Sequence, residues 1–259
     1  MTAFFHQEGE AFAPTALSAN HWHPDAQSGV ALGLLMSHTL QAQPEAANGR
    51  LARFTLDILR PAPALPTRVA WRLANSEGTV RLLEGELEAG GQVAARASAL
   101  FVDPTAASPP AMPLVPPIAA PEDAGKAPAM ARQIGLEPRF LSVGRLGPSG
   151  ERTPHVLWLR LEADITPGVR ASPISTAVAI SDFGGSALGD YGSAWNFPNV
   201  DIAVHFARQP EGEWVQTRVS PLLLGENVGI IDHRLSDRRG PFAHAHQVMF
   251  FTRRETARS

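Results

Sequence analysis

The chain repeats itself. The run Phe54–Pro61 answers to Ile202–Pro210, and Gly91–Phe101 answers to Gly240–Phe250, at a nearly constant offset. Each half reads as one long helix followed by about four strands in the same order. Self-similarity on this scale means that one structural unit is used twice, which narrows the fold to two helix-and-sheet layers packed together.

The elements follow from hydrophobic period. Gln27–Gln41 has helical spacing of Val30, Leu34, Met36 and Leu40, with Gly29 and Gly33 small. In Leu51–Arg60, Phe54, Leu56 and Ile58 alternate with Arg53, Thr55 and Asp57, the period of a half-buried strand. Arg68–Ala74, Thr79–Glu88 and Gln92–Val102 continue in the same way, the last two joined by a hairpin turn at Ala89-Gly90-Gly91. In the second half, His155–Glu162 is a strand apolar on both faces. The second helix runs from Ser172 to about Gly189, with Ser172 as N-cap and Pro173 at the first helical position. Asn199–Ala207, Trp214–Pro221, Gly225–Leu235 and Pro241–Thr252 supply the remaining strands. Residues 103–150 are rich in Pro and Ala, include a further loop at Gly144–Ser149, and read as a linker between units 1–102 and 151–259. The fold class is α+β.

Composition removes several classes of function. There is no cysteine, so disulfides, thiolate metal sites and a cysteine nucleophile are excluded. A net charge of −3 gives no electrostatic reason to expect nucleic acid or an anionic membrane as partner. The N-terminus lacks a signal-peptide pattern and no apolar run reaches transmembrane length, so the expected location is the cytoplasm. Neither a Gly-rich phosphate loop nor a Gly-x-Ser-x-Gly elbow is present. No metal or redox cofactor is called for.

One residue stands out against this background. Asp182 is the single carboxylate in the nearly all-apolar second helix, where a charge is costly unless it is hydrogen-bonded. Gln247 shares a strand face with Ala243, Ala245, Met249 and Phe251, an inward-looking set in which a buried amide wants a partner. Asn199 opens its strand; strict alternation puts it on the face of Asp201 and His205, away from Val200 and Phe206.

The sequence resembles the acyl-CoA thioesterases of the double hot-dog type, the thioesterase II group. The first half carries the likeness in Gly29–Leu35, Leu56-Asp57-Ile58-Leu59-Arg60-Pro61 and Gly91-Gln92-Val93-Ala94. The second half carries it in Ala179-Ile180-Ser181-Asp182, Pro198–Phe206 and His246-Gln247. The resemblance implies a tandem (double) hot-dog: two long central helices wrapped by one continuous antiparallel sheet, assembling as a homo-oligomer, a dimer of such chains. It also implies one active site per chain, made by an Asp on the second helix, a hydroxyl residue at the start of the next strand and a Gln on the last strand. These positions are Asp182, Asn199 and Gln247, with Asn standing where the family usually has Thr or Ser. At the matching offsets the first half has Gly33 for Asp182 and Ser98 for Gln247, so only the second half carries the polar set.

The implied reaction is hydrolysis of acyl-CoA, or a related thioester, to acid and CoA, with a place in fatty acid metabolism. Asp182 serves as general base, and Asn199 and Gln247 fix the water. Two alternatives stand beside it: a degenerate member that binds acyl-CoA or another hydrophobic ligand without turnover, and a hot-dog hydratase or dehydratase in which His205 enters the pocket. His21 with His23, and His244 with His246, have the spacing of metal-ligand pairs but lack a third ligand. They read as loop and as solvated strand face. Arg208, Arg238, Arg239, Arg253 and Arg254 are candidates for the CoA phosphates.

Overall fold

A sheet of 14 strands carries the chain. The computed structural model describes residues 2–20, 23, 25–106, 119–126, 136–142, 155–191, 194–220 and 223–254. His21, Trp22 and the expected loop at Gly144–Ser149 lie outside them.

The first half comprises β1 (Phe5–Glu8), β2 (Ala11–Pro14), α1 (Gly29–Gln41), α2 (Pro44–Ala47), β3 (Arg50–Ile58), β4 (Thr67–Asn75), β5 (Val80–Ala89) and β6 (Gln92–Val102). Within 103–150 lie two strands, β7 (Gly125–Lys126) and β8 (Leu136–Ser142). The second half holds β9 (His155–Leu161), α3 (Pro173–Ser181), β10 (Trp195–Asn196), β11 (Asp201–Phe206), β12 (Val215–Val219), β13 (Leu223–Gly225), β14 (Val228–Asp237), β15 (Gly240–Phe250) and β16 (Thr252–Arg253). The sheet order is β1-β2-β4-β5-β6-β3-β11-β15-β14-β12-β9-β8-β7, with β13 on β14 and all neighbours antiparallel.

The repeat is visible in this order: β4-β5-β6-β3 on one side of the centre is mirrored by β11-β15-β14-β12 on the other. The junction obeys a local two-fold. Leu56 pairs with Ile202 and Phe54 with Val204, flanking the pair Thr55–Ala203. Since Phe54 repeats as Ile202 and Leu56 as Val204, this register maps onto itself. It also corrects one equivalence. Leu56 pairs with Ala97 and Val204 with Ala245, so the first-half counterpart of Gln247 is Ala99, one residue beyond the expected Ser98. Ser98 sits on the other face, where it accepts from Arg53.

The helices pack antiparallel against one face of the sheet. Gly29 at the start of α1 meets Asp182, Gly33 meets Val178, and Gln41 Nε2 donates to Ser175 Oγ at 2.7 Å. Every α1 residue from Gly29 to Ser37 is buried, because sheet and second helix enclose it. Each Leu buried in this way contributes about 1.5–3 kcal/mol, so the segment is held by packing on all sides and has no polar face to display.

Among the described residues one long helix forms, against the two expected. α1 has 13 residues, while α3 stops at Ser181 after 9 and continues as a 3₁₀ segment, Asp182–Tyr191. The reason lies in Phe183-Gly184-Gly185: two glycines each cost a helix about 1 kcal/mol, and Gly184 lies directly against side chains of β14 and β15. The start of α3 agrees with its sequence: Ser172 Oγ accepts from Ser175 N at 3.1 Å, with Pro173 at the first helical position. No helix among the described residues is long and apolar enough to cross a membrane.

Candidate active site

Asp182 sits where α3 gives way to the 3₁₀ segment, and its carboxylate points at the first turn of α1. A Cβ added at Gly29 would overlap Oδ1 and lie 2.8 Å from Cγ, so glycine is what lets the helix start approach this closely. The backbone N–H of Val30, a free donor of the first turn, favours the charged carboxylate. Ser28 caps α1 through the N–H of Ala31 at 3.2 Å, leaving the Val30 donor for Asp182. A helix N-terminus offers free donors to an anion, which compensates part of the burial.

Asn199 supplies the second contact, donating from Nδ2 to Asp182 Oδ1 at 2.7 Å. It precedes β11 and forms an isolated bridge to Met249, so the strand alternation that assigned it to the face of Asp201 and His205 does not reach it. Asp201 is turned away and accepts from Val248 N at 2.5 Å. Desolvation raises the Asp182 pKa to about 6, against the opposing pull of the Asn199 and Val30 hydrogen bonds.

Gln247 lies on the inner face of β15, fully buried with Ala243, Ala245 and Met249. Its Oε1 is 3.1 Å from His233 Nε2, and His233 Nδ1 is 2.9 Å from Thr217 Oγ1. All three side chains are 0% exposed. Burial holds His233 neutral, lowering its pKa to about 4. Gly184, two residues past Asp182, forms the roof: a Cβ there would overlap Gln247 Oε1 and lie 2.6 Å from His233 Cε1. The 3₁₀ segment thus joins the Asp182–Asn199 pair to the Gln247–His233–Thr217 line. Among the described residues Gln247 Nε2 has no hydrogen-bond partner.

Beyond Gly184 the surroundings turn apolar. Leu188, Phe197, Val219, Ile231, Met249 and Phe251 form a second buried cluster, separate from the main core. A Cβ on Gly185 would lie 3.6 Å from Met249 Cε and 3.8 Å from Phe197 Cε2, so the backbone runs along this surface.

Residues 108–251 match a family model described as the acyl-CoA thioesterase C-terminal domain, which is more than half of the chain. The chain belongs to that family. Solved structures resembling this thioesterase-family chain include a hot-dog-fold protein of unknown function from Alicyclobacillus acidocaldarius (16% identity, 96% of this chain and 95% of the other, TM-score 0.73). An acyl-CoA thioesterase II from Mycobacterium marinum is similar over 97% and 96% of the two chains (17% identity, TM-score 0.68). A tesB protein from Mycobacterium avium subs paratuberculosis is similar over 96% of each (16% identity, TM-score 0.66). At these identities the likeness is one of fold, and the fold is the hot-dog. No curated protein matched.

The remaining candidates of this thioesterase-family chain lie elsewhere. His205 is exposed on the outer face of β11, its ring 6.0 Å from that of His246. His246 Nδ1 is 2.6 Å from Asp232 Oδ1, and His244 is exposed. Arg208 is committed to an internal bidentate pair with the buried Asp237, at 2.6 Å to each oxygen. Arg238 and Arg239 pair with Glu122 and Glu211, Arg253 lies over the Trp195 ring at 5.7 Å, and Arg254 donates to Asn196. His233 and Thr217 escaped the sequence reading. The signal was available: His233 alternates with Ile231 and Leu235, a lone histidine on an apolar face.

Proposed function

We propose that this chain hydrolyses acyl-CoA thioesters, with Asp182 as general base, Asn199 holding its carboxylate and Gln247 completing the polar set. The observation that carries this reading is the asymmetry of the repeat. The first-half helix α1 carries no carboxylate at all, and one turn on from Gly29 it meets α3 through Gly33 against Val178, where a Cβ would lie 3.2 Å from Val178 Cγ1. The fold is built without a carboxylate in one half, so the desolvated carboxylate in the other is there for chemistry.

A base with a pKa near 6 suits the task. It is ionised at neutral pH and still basic enough to take a proton from water in the transition state. The water's oxygen adds to the thioester carbonyl carbon as its proton passes to Asp182. The tetrahedral intermediate then collapses with cleavage of the C–S bond, and the proton goes to the departing CoA thiolate. The cluster around Phe197, Ile231, Met249 and Phe251 offers an apolar wall for the acyl chain. Two hot-dog units in tandem and a homo-oligomeric assembly belong to the same proposal. A hydratase reading draws no support from His205, which lies on the outer face.

The test is a panel of short-, medium- and long-chain acyl-CoAs assayed for free-thiol release, with wild type beside Asp182→Ala. Release by wild type and its loss in the variant are expected. Binding without release at every chain length would replace the hydrolase by a ligand-binding protein. Enoyl-CoA hydration lost in His205→Ala and kept in Asp182→Ala would replace it by a hydratase.

A further inference from the structure

The Thr217–His233–Gln247 line is unnecessary for the fold. Its counterparts follow from the strand registers. Ala97 corresponds to Ala245, and these pair with Gly85 and His233 respectively, so Gly85 stands for His233. By the same ladders Val69 stands for Thr217 and Ala99 for Gln247. Three polar residues in one half answer to Val, Gly and Ala in the other, where the Trp71 ring fills the space above Gly85. Burying a hydroxyl, an imidazole and an amide is tolerable only if each is satisfied, and two of the three are.

The line also has a direction. An oxygen 3.1 Å from His233 Nε2 requires the ring proton on Nε2. The unprotonated Nδ1 then accepts from the Thr217 hydroxyl at 2.9 Å. Gln247 Oε1 is thereby anchored on the ring N–H, and its NH₂ is the end of the line: fully buried, without a protein acceptor among the described residues, and acting only as a donor. A buried donor left in this state is destabilising until an acceptor arrives.

We propose that His233 is a positioning residue, which with Thr217 locks the Gln247 amide so that its NH₂ donates to the carbonyl oxygen of the bound thioester. This rests on the thioesterase reading above and extends it. The attacking water must give a proton to Asp182, whereas the carbonyl oxygen has none to give and gains negative charge as the water adds, so a donor-only group matches the carbonyl. His233 itself touches no substrate. Because Gly184 covers Gln247 and His233 alike, neither side chain can swing away without displacing the segment that carries Asp182.

The experiment combines ¹⁵N-histidine NMR with steady-state kinetics on the full chain, using the acyl-CoA that wild type turns over fastest. The His233 resonances, identified by their absence in His233→Gln, are expected to show a neutral ring protonated at Nε2. His233→Leu is expected to lose about 10²-fold in kcat with KM little changed, the size of a lost oxyanion donor. His233→Gln, whose amide N–H reaches the same oxygen, is expected to recover most of that loss, and Thr217→Val to lose about 10-fold. A ring protonated at Nδ1 in wild type overturns the proposal, as does a His233→Leu enzyme with wild-type kcat. If wild type releases no thiol from any acyl-CoA, the thioesterase reading fails and the proposed carbonyl contact fails with it. The tautomer then still decides how Gln247 is held.

Discussion

The Cα of Gly29 lies so close to the carboxylate of Asp182 that no other residue fits at position 29 without moving that carboxylate. The contact joins the first turn of α1 to the residue that caps the end of α3, across the repeat. It makes Asp182 depend on a residue in the half of the chain that carries none of the expected site residues.

Gly29→Ala therefore separates site geometry from stability. Alanine improves helix propensity by about 1 kcal/mol, which offsets part of the crowding, so Tm is expected to change little. The carboxylate must swing away from Asn199 and the Val30 N–H, and a displacement of about 1 Å at a catalytic group costs on the order of 10²-fold in rate. Thermal melts beside kcat measurements check this; a variant with full activity would mean that the contact is incidental.

Asn199 holds the charged form of Asp182. Removing it in Asn199→Ala takes away a hydrogen bond to a carboxylate, worth about 1.5–3 kcal/mol, and moves the base pKa upward from about 6 by roughly one unit. The acid limb of the kcat/KM profile is expected to move to higher pH by that amount. Asn199→Thr keeps a donor and is expected to keep the wild-type limb.

Stability should also report Asp182. Its folded pKa, about 6, is above the ordinary value of 3.8, so between these values the folded state holds a proton that the unfolded state has released. Its contribution to stability therefore falls as pH rises through that window and is fully lost above it, by roughly 3 kcal/mol. Asp182→Asn is expected to be more stable than wild type above pH 6 and nearly equal to it near pH 4. His233 and His155, both lowered to about 4, act oppositely: their contribution is lost as pH falls from 6.5 toward 4. Urea unfolding of wild type and Asp182→Asn across this range separates the two effects.

Gly184→Ala tests the roof over Gln247. The added methyl group overlaps Gln247 Oε1 and crowds His233, two packed side chains with no space to yield. Overpacking of this kind costs about 1–3 kcal/mol in stability, and kcat is expected to fall as the amide is displaced. Equilibrium unfolding and thiol-release kinetics on the same preparation check both.

Much of this arrangement was legible in the sequence, and the parts that were not share a cause. The repeat, the capped start of α3 and the central strands rest on local pattern, and the structure shows them nearly where the pattern put them. Asp182 and Gln247 were conspicuous because each is polar in an apolar setting. The length of the second helix was misjudged because what ends it, Gly184 against His233 and Gln247, is a tertiary contact. Asn199 was assigned to the wrong face because alternation was extended two residues past the start of β11. His233 and Thr217 went unnoticed because their meaning lies in the register of β12, β14 and β15, which no single segment encodes. The strands β7 and β8 lie in a Pro/Ala-rich stretch and are held by pairing at the sheet edge beside β9, where composition gave no period to read.

The central claim is that a desolvated Asp182 activates water against a thioester, and the pH dependence of kcat/KM for acyl-CoA tests it most directly. Wild type is expected to show an acid limb near pH 6, and Asp182→Asn to be about 10²–10⁴-fold slower without that limb while remaining folded. An Asp182→Asn enzyme that keeps both the rate and the limb would contradict the account.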